Sequence, residues 1–178
     1  MKTTKFPYWK LFFVWITFLG LHFSYETFPN VLFQIIGEEG ETNYFHMKML
    51  FFAYLFGCIA EFIINRKKIG SLQQFSTSRA LVSIAYPWLT ITFFFLSHAL
   101  TGSMLEMPWE IIRANIATVI GIYFALRLEQ AFDEVEFQPA LRWMIWLIFV
   151  SALFTYIVFT FNTPEHFFET PEGFGQGH

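Results

Sequence analysis

Charge is what this sequence has least of. Asp, Glu, Lys and Arg make up 14 % of its 178 residues, where soluble domains carry about 25 %, while hydrophobic residues reach 55 %. So small a core cannot hide that much apolar surface from water, which excludes an ordinary soluble domain and points to lipid as the solvent. Cationic charge is shorter still: eleven Lys and Arg against fourteen Asp and Glu leave a net −3. Without the clustered basic surface that phosphate backbones require, nucleic acid is excluded as a partner. The single cysteine, Cys58, cannot form an intramolecular disulfide, and its mid-span position reads as a packed thiol. No internal repeat or low-complexity linker divides the chain, and its length suits one domain over 1–178.

What is abundant is apolar sequence in long runs. Five segments, 8–28, 45–64, 80–100, 109–128 and 141–161, are each close to the roughly 20 residues that cross a bilayer. They are apolar all round, which predicts an all-α, polytopic transmembrane bundle of five spans with a tail over 162–178. The opening "MKTTKFPYWK" has the basic character of a signal-peptide n-region. Its apolar run is too long for an h-region, however, and the bulky "HFSYETF" stands where small cleavage-site residues belong, so the segment is expected to stay attached as the first span.

Five crossings put the termini on opposite sides. Lys2, Lys5, Lys10, Arg66, Lys67, Lys68, Arg79, Arg127 and Arg142 then share the side of the N-terminus, with only Lys48 and Arg113 opposite. The positive-inside rule reads this as N-terminus inside and C-terminus outside, in the cell membrane and most simply a bacterial inner membrane. That orientation sorts the histidines as well: His22, His46, His98, His166 and His178 all fall outside. His22 and Glu26 are four residues apart, one turn along one helix face. Ionisable groups in a span ordinarily face the bundle interior or a watery cavity, which predicts an outward-opening polar pocket.

Imidazole and carboxylate in one pocket are the donors of a metal or proton-transfer site. His22, His46, His98 and His166 are the candidate ligands for a divalent metal, zinc or iron, with haem a more remote alternative. No spacing-specific zinc signature is present. Glu26, His46 and Lys48 are the candidate catalytic groups, and Tyr25, Glu41, Glu110 and Arg113 the candidate substrate contacts. Each has a plainer reading. The histidines belong to a polar boundary layer, Lys48 snorkels to the interface, Glu110 answers the macrodipole at the start of its helix, and Arg113 pairs with Glu110 or Glu106. On the inner side, Ala53-x-x-x-Gly57 offers a close helix approach, below which Glu61 is either an inner gate or a residue neutralised by Arg66 and Lys67. Pro87 frees a carbonyl inside the third span. "RLEQAFDEVEFQP" reads as a helix end and a solvated acidic loop.

Three of these stretches, "HFSYE", "ETNYFHMKMLFF" and "PEHFFETPEGFG", together resemble a family of small five-helix bacterial membrane proteins known only as a domain of unknown function. That family carries H-x-x-Y-E in helix one, a segment like N-E-S-V-W-E-H-L-K entering helix two, and a Pro- and Gly-rich tail containing His. His22, Tyr25, Glu26, Glu41, His46, Lys48, His166, Pro171, Gly173 and Gly175 match those patterns, whereas Gly40, Phe45 and Thr170 depart from them. The resemblance implies the five-helix layout and a shared outward polar site, and no activity.

Three functions compete on this reading. The first is an intramembrane metal- or acid/base-dependent site acting on a lipid-like or small apolar molecule. Another is an accessory subunit of a larger membrane complex, haem-ligating in one version, with lipid, other subunits or a second copy as partners. The last is a proton-coupled carrier using Glu61 as its inner station, which the missing inverted repeat disfavours.

Overall fold

The computed structural model describes residues 6–37, 42–102 and 107–162, and every regular element among them is a helix. These are α1 (Tyr8–His22), α2 (Ser24–Thr27), α3 (Val31–Ile36), α4 (Asn43–Asn65), α5 (Leu72–Thr101), α6 (Met107–Phe132) and α7 (Pro139–Phe161). Four of them, α4 to α7, are long and apolar enough to cross a membrane. At 15 residues, α1 falls short of that length by itself.

The ends follow local chemistry. Thr42 caps α4 by accepting from the Phe45 amide, Ser71 caps α5 by accepting from Gln74, and Asn30 caps α3 by accepting from Leu32 and Phe33, each satisfying an orphan donor of the first turn. Gly102 closes α5 at φ 70°, a conformation that favours glycine. Expected boundaries shift in two places. The first segment does not run as one helix to Phe28: Phe23 interrupts it, and Phe28 leaves the helical region at φ −134°, ψ 76° because the following Pro29 crowds an α-helical conformation there. The third span begins at Leu72, eight residues before the apolar run, and although its first turn is exposed or half-buried, the polar Thr77, Ser78 and Arg79 of its second turn are buried against neighbours. Pro87 lies within α5, which continues through it.

Helices α1, α4, α5 and α6 pack in a closed ring, α1 on α4, α4 on α5, α5 on α6 and α6 back on α1, with α7 flanking α5. Two glycines set the spacing. A Cβ at Gly57 would lie 2.5 Å from Val14 Cγ2, so the Ala53-x-x-x-Gly57 face does receive a helix, α1. One at Gly121 would lie 3.2 Å from the Thr90 Cα, which brings the α5 and α6 backbones close. The shared core is aromatic, with Tyr44, Phe51, Tyr54 and Tyr86 almost wholly buried. By contrast α7 turns Trp143, Leu147 and Phe154 outward, as suits a helix bounded by lipid.

Candidate functional site

At one end of the ring the sequence places an ionisable side chain on each of four helices, and all of them turn inward. Lys10, on the first turn of α1, crosses the slot left by Gly57, whose absent Cβ would sit 3.7 Å from Lys10 Cε. Its ammonium donates to Glu61 Oε2 and to Glu129 Oε2, each at 2.6 Å, with Cys58 Sγ at 3.6 Å. Arg79 of α5 reaches the same carboxylates from the other side. Its Nη2 lies 2.8 Å from Glu61 Oε1 and 3.1 Å from Glu129 Oε1, and its Nε is 3.3 Å from Glu61 Oε2. The remaining fork contacts Asp133 and the Ser78 hydroxyl, which itself donates to Asp133. Tyr54 completes the group by donating to Glu129.

The order of the cluster is therefore Asp133, Arg79, Glu61 with Glu129, and Lys10. Lys10 is fully buried and the Glu129 side chain is 3 % exposed, whereas Asp133 stands at the rim with 39 % exposed. Among the described residues two cations face three carboxylates, a formal charge of −1 when all are ionised. Taking such groups out of water is costly unless each is paired and hydrogen-bonded, and here each carboxylate has at least one charged donor. An assembly of this kind can lock four helices in register. It can also hold a proton or release it through the Asp133 rim, because the surplus charge lies on an acid.

Much of this was hidden in the sequence. Lys10 and Arg79 read as topology markers, yet both are buried. Glu129 and Asp133 read as a solvated acidic loop, and Glu129 is 2 % exposed; that expectation is corrected. Its reason was legible, since Ile122, Leu126, Glu129 and Asp133 recur at helical spacing and continue the buried stripe of α6. Glu61 is neutralised by Lys10 and Arg79 rather than by Arg66 and Lys67, which are exposed.

The opposite end holds the sequence-predicted residues in separate groups. His22 and His46 approach across the α1–α4 interface with ring centroids 5.7 Å apart, and the His46 ring Nδ1 is 2.9 Å from the Thr42 carbonyl. Glu26 does not join them: it is exposed on α2, beyond the break at Phe23, and Tyr25 is half-buried. His98 belongs to the α5–α6 interface, where its Nε2 lies 3.1 Å from Glu110 Oε2 and Arg113 Nη1 is 3.7 Å from Glu110 Oε1. Lys48 does not snorkel. It is fully buried, donating to the Gln34 carbonyl at 2.7 Å and to Thr160 Oγ1 at 3.2 Å over the Phe45 ring. That ties α4 to α3 and α7. Glu41 and His166 lie outside the described residues.

Among the described residues no three His, Cys, Asp or Glu side chains stand together in a way that could hold a metal ion. Of the four candidate ligands, the three described histidines are divided between the α1–α4 and α5–α6 interfaces. Two open grooves are apolar instead. One of about 390 Å³ lies between α1 and α6, along Trp15, Ile112, Asn115 and Ile116; another of about 280 Å³ lies between α4, α5 and α7, along Cys58, Phe75, Arg79 and Trp146. Comparison with known proteins adds no relative, since no family model, curated protein or solved structure matches the chain.

Proposed function

We propose that this chain is a five-span membrane protein, N-terminus inside, that takes up and releases a proton at the Lys10–Glu61–Arg79–Glu129–Asp133 cluster, and so belongs to the proton-linked carriers or sensors. α1 and α2 together supply the first crossing. The supporting observation is the unequal count of two cations and three carboxylates in a buried site whose one well-exposed acid, Asp133, offers the route to solvent. Ionisable groups buried in a span are rare and mark proton relays and ion pathways. Protonating one acid leaves the cluster formally neutral, and loss of that proton restores the repulsion between the acids of α4 and α6 while strengthening their pull on Lys10 of α1.

Infrared difference spectroscopy on reconstituted protein tests this. A step from mildly alkaline to mildly acid buffer should produce the carbonyl band of a protonated carboxyl, and Glu129→Gln or Glu61→Gln should remove or shift it. A spectrum without any carboxyl band, identical in wild type and both variants, would refute proton exchange and leave a fixed ionic lock.

A second reading keeps acid/base chemistry on a lipid-like molecule at the other end, supported by the His98–Glu110 pair beside a buried Arg113. Any metal in this version is restricted to the His22–His46 pair and groups outside the described residues. Elemental analysis of mildly purified protein, with His22→Ala and His98→Ala as comparisons, tests that version.

A further inference from the structure

Between the two ends of the ring, the α5–α6 interface carries a line of buried polar groups. Each end of the line is a part-exposed carboxylate, Asp133 at 39 % and Glu110 at 25 %. These mark the two ends of α6, about 34 Å apart at 1.5 Å per residue, close to the roughly 30 Å of a bilayer's hydrocarbon core. From Asp133 the line passes through Arg79 to Glu129, which accepts from the Tyr54 hydroxyl. The Tyr54 and Tyr86 rings lie 5.4 Å apart. Thr90 follows one turn beyond Tyr86 on the same face of α5, its Oγ1 filling the space that a Cβ on Gly121 would take. Thr118, one turn outward of Gly121, is buried as well. Beyond it the His98 Nε2 stands 3.1 Å from Glu110 Oε2.

Two features suit this line to carrying protons rather than to packing alone. Tyr86 and Thr90 are 0 % and 3 % exposed; their hydroxyls approach each other, and neither has a hydrogen-bond partner elsewhere among the described residues. Two hydroxyls facing each other can use only one of their two donors, so a donor and several lone pairs stay open in the middle of the bundle. Such groups are ordinarily met by internal water. One turn toward the cluster, Pro87 has no N–H to give the Ser83 carbonyl, which leaves a further acceptor beside the same line.

We propose that protons cross the bundle along this line, from the Lys10 cluster through Tyr54, Tyr86 and Thr90, with water bridging the wider steps, to the His98–Glu110 pair at the opposite end. The inference rests on the proton-exchange reading of the cluster and gives it a second mouth. Each hydroxyl or water accepts a proton from one neighbour and passes its own to the next, so none keeps a charge; one proton enters at one carboxylate and one leaves at the other. The charged groups facing the outer mouth are His98 of α5 and Arg113 of α6, whose Nη1 is 3.7 Å from Glu110 Oε1. Those facing the inner mouth are the cations and acids of the Lys10 cluster.

Full-length protein in liposomes loaded with the pH-sensitive dye pyranine, under a potassium diffusion potential set with valinomycin, supplies the test. Wild type should change the internal pH faster than protein-free liposomes do. Tyr86→Phe and Thr90→Val each remove one hydroxyl and nearly keep the volume, and each should bring the rate down to that of protein-free liposomes. Thr90→Ser should restore it, while Thr92→Val, a change at an exposed threonine of α5, should leave it intact. Should Tyr86→Phe not fold, Thr90→Val and its rescue by serine decide. A wild-type rate no faster than that of protein-free liposomes, or an undiminished rate in either hydroxyl variant, overturns the proposal. The infrared carboxyl band separates the two readings: a band without proton flux overturns the crossing alone, whereas absence of both overturns proton exchange at the cluster as well.

Discussion

Replacing Lys10 by methionine keeps the length of the side chain and removes the charge that joins α1 to α4 and α6. The ammonium makes two short bonds to carboxylates, at 2.6 Å to Glu61 and 2.6 Å to Glu129. Charge-assisted hydrogen bonds of this kind contribute about 1.5–3 kcal/mol each, and removing one partner of a buried ionic group costs about 3–5 kcal/mol. The two figures agree because the cost lies mostly in the stranded acids: Arg79 alone would face three carboxylates, and the formal charge of the cluster would fall from −1 to −2. Lys10→Met should therefore lower the unfolding free energy by about 3–5 kcal/mol, measured by equilibrium unfolding in mixed micelles with tryptophan fluorescence. Lys10→Met combined with Glu129→Gln restores the formal charge to −1. This double variant should recover about 1–3 kcal/mol relative to the sum of the single changes. A Lys10→Met cost below about 1 kcal/mol, the worth of a solvated pair, or strictly additive single changes, would refute the reasoning that these groups form one buried unit.

Four further outcomes are expected. Gly57→Ala should destabilise by about 1–3 kcal/mol through overpacking against Val14, whereas Gly20→Ala, with nothing within 4 Å of its new methyl, should be neutral or slightly stabilising from helix propensity; thermal unfolding of the pair checks this. Gly121→Ala should be worse tolerated than Gly57→Ala, since backbone as well as the Thr90 side chain stands in its way, and the same melts compare them. Asp133→Asn should change stability by about 1 kcal/mol or less because its partner is reached at a solvated rim, in contrast to Glu129→Gln in the same unfolding assay. Finally, Cys58 is the sole cysteine and is buried, so wild type should resist maleimide. Lys67→Cys should then label from the inner face only in oriented vesicles; labelling from outside would invert the proposed topology.

The sequence carried the helical class and most of the helix ends well. Apolar runs of membrane length lie within α4, α5, α6 and α7, and Thr42, Asn30 and Ser71 cap as their side chains allow. The small-residue step at Gly57 pointed correctly to a close helix contact. Less was legible at the sites. A pocket was expected where histidines accumulate, and those residues instead divide between the α1–α4 and α5–α6 interfaces, with Glu26 turned out. Lys10 and Arg79 read as markers of the inner side, and Glu129 as part of a helix end and solvated acidic loop. In hydrophobic surroundings, however, an ionisable group near a helix end can either reach water or find a partner within the bundle, and local sequence does not distinguish the two.

Composition by itself pointed to the solvent: so few charges and so much apolar surface suit lipid, where only helices and closed barrels pair every backbone group, and the long apolar runs select helices. The spacing of the apolar runs then placed the helices along the chain. It could not say which faces meet. Lys10 and Glu129 stand 119 positions apart, and their pairing depends on α1 closing the ring against α6, a choice governed by how Gly57, Val14 and the buried aromatics fit together. Tertiary packing alone turned isolated charges on four helices into one cluster, because the cost of burying a charge is set by what surrounds it in space.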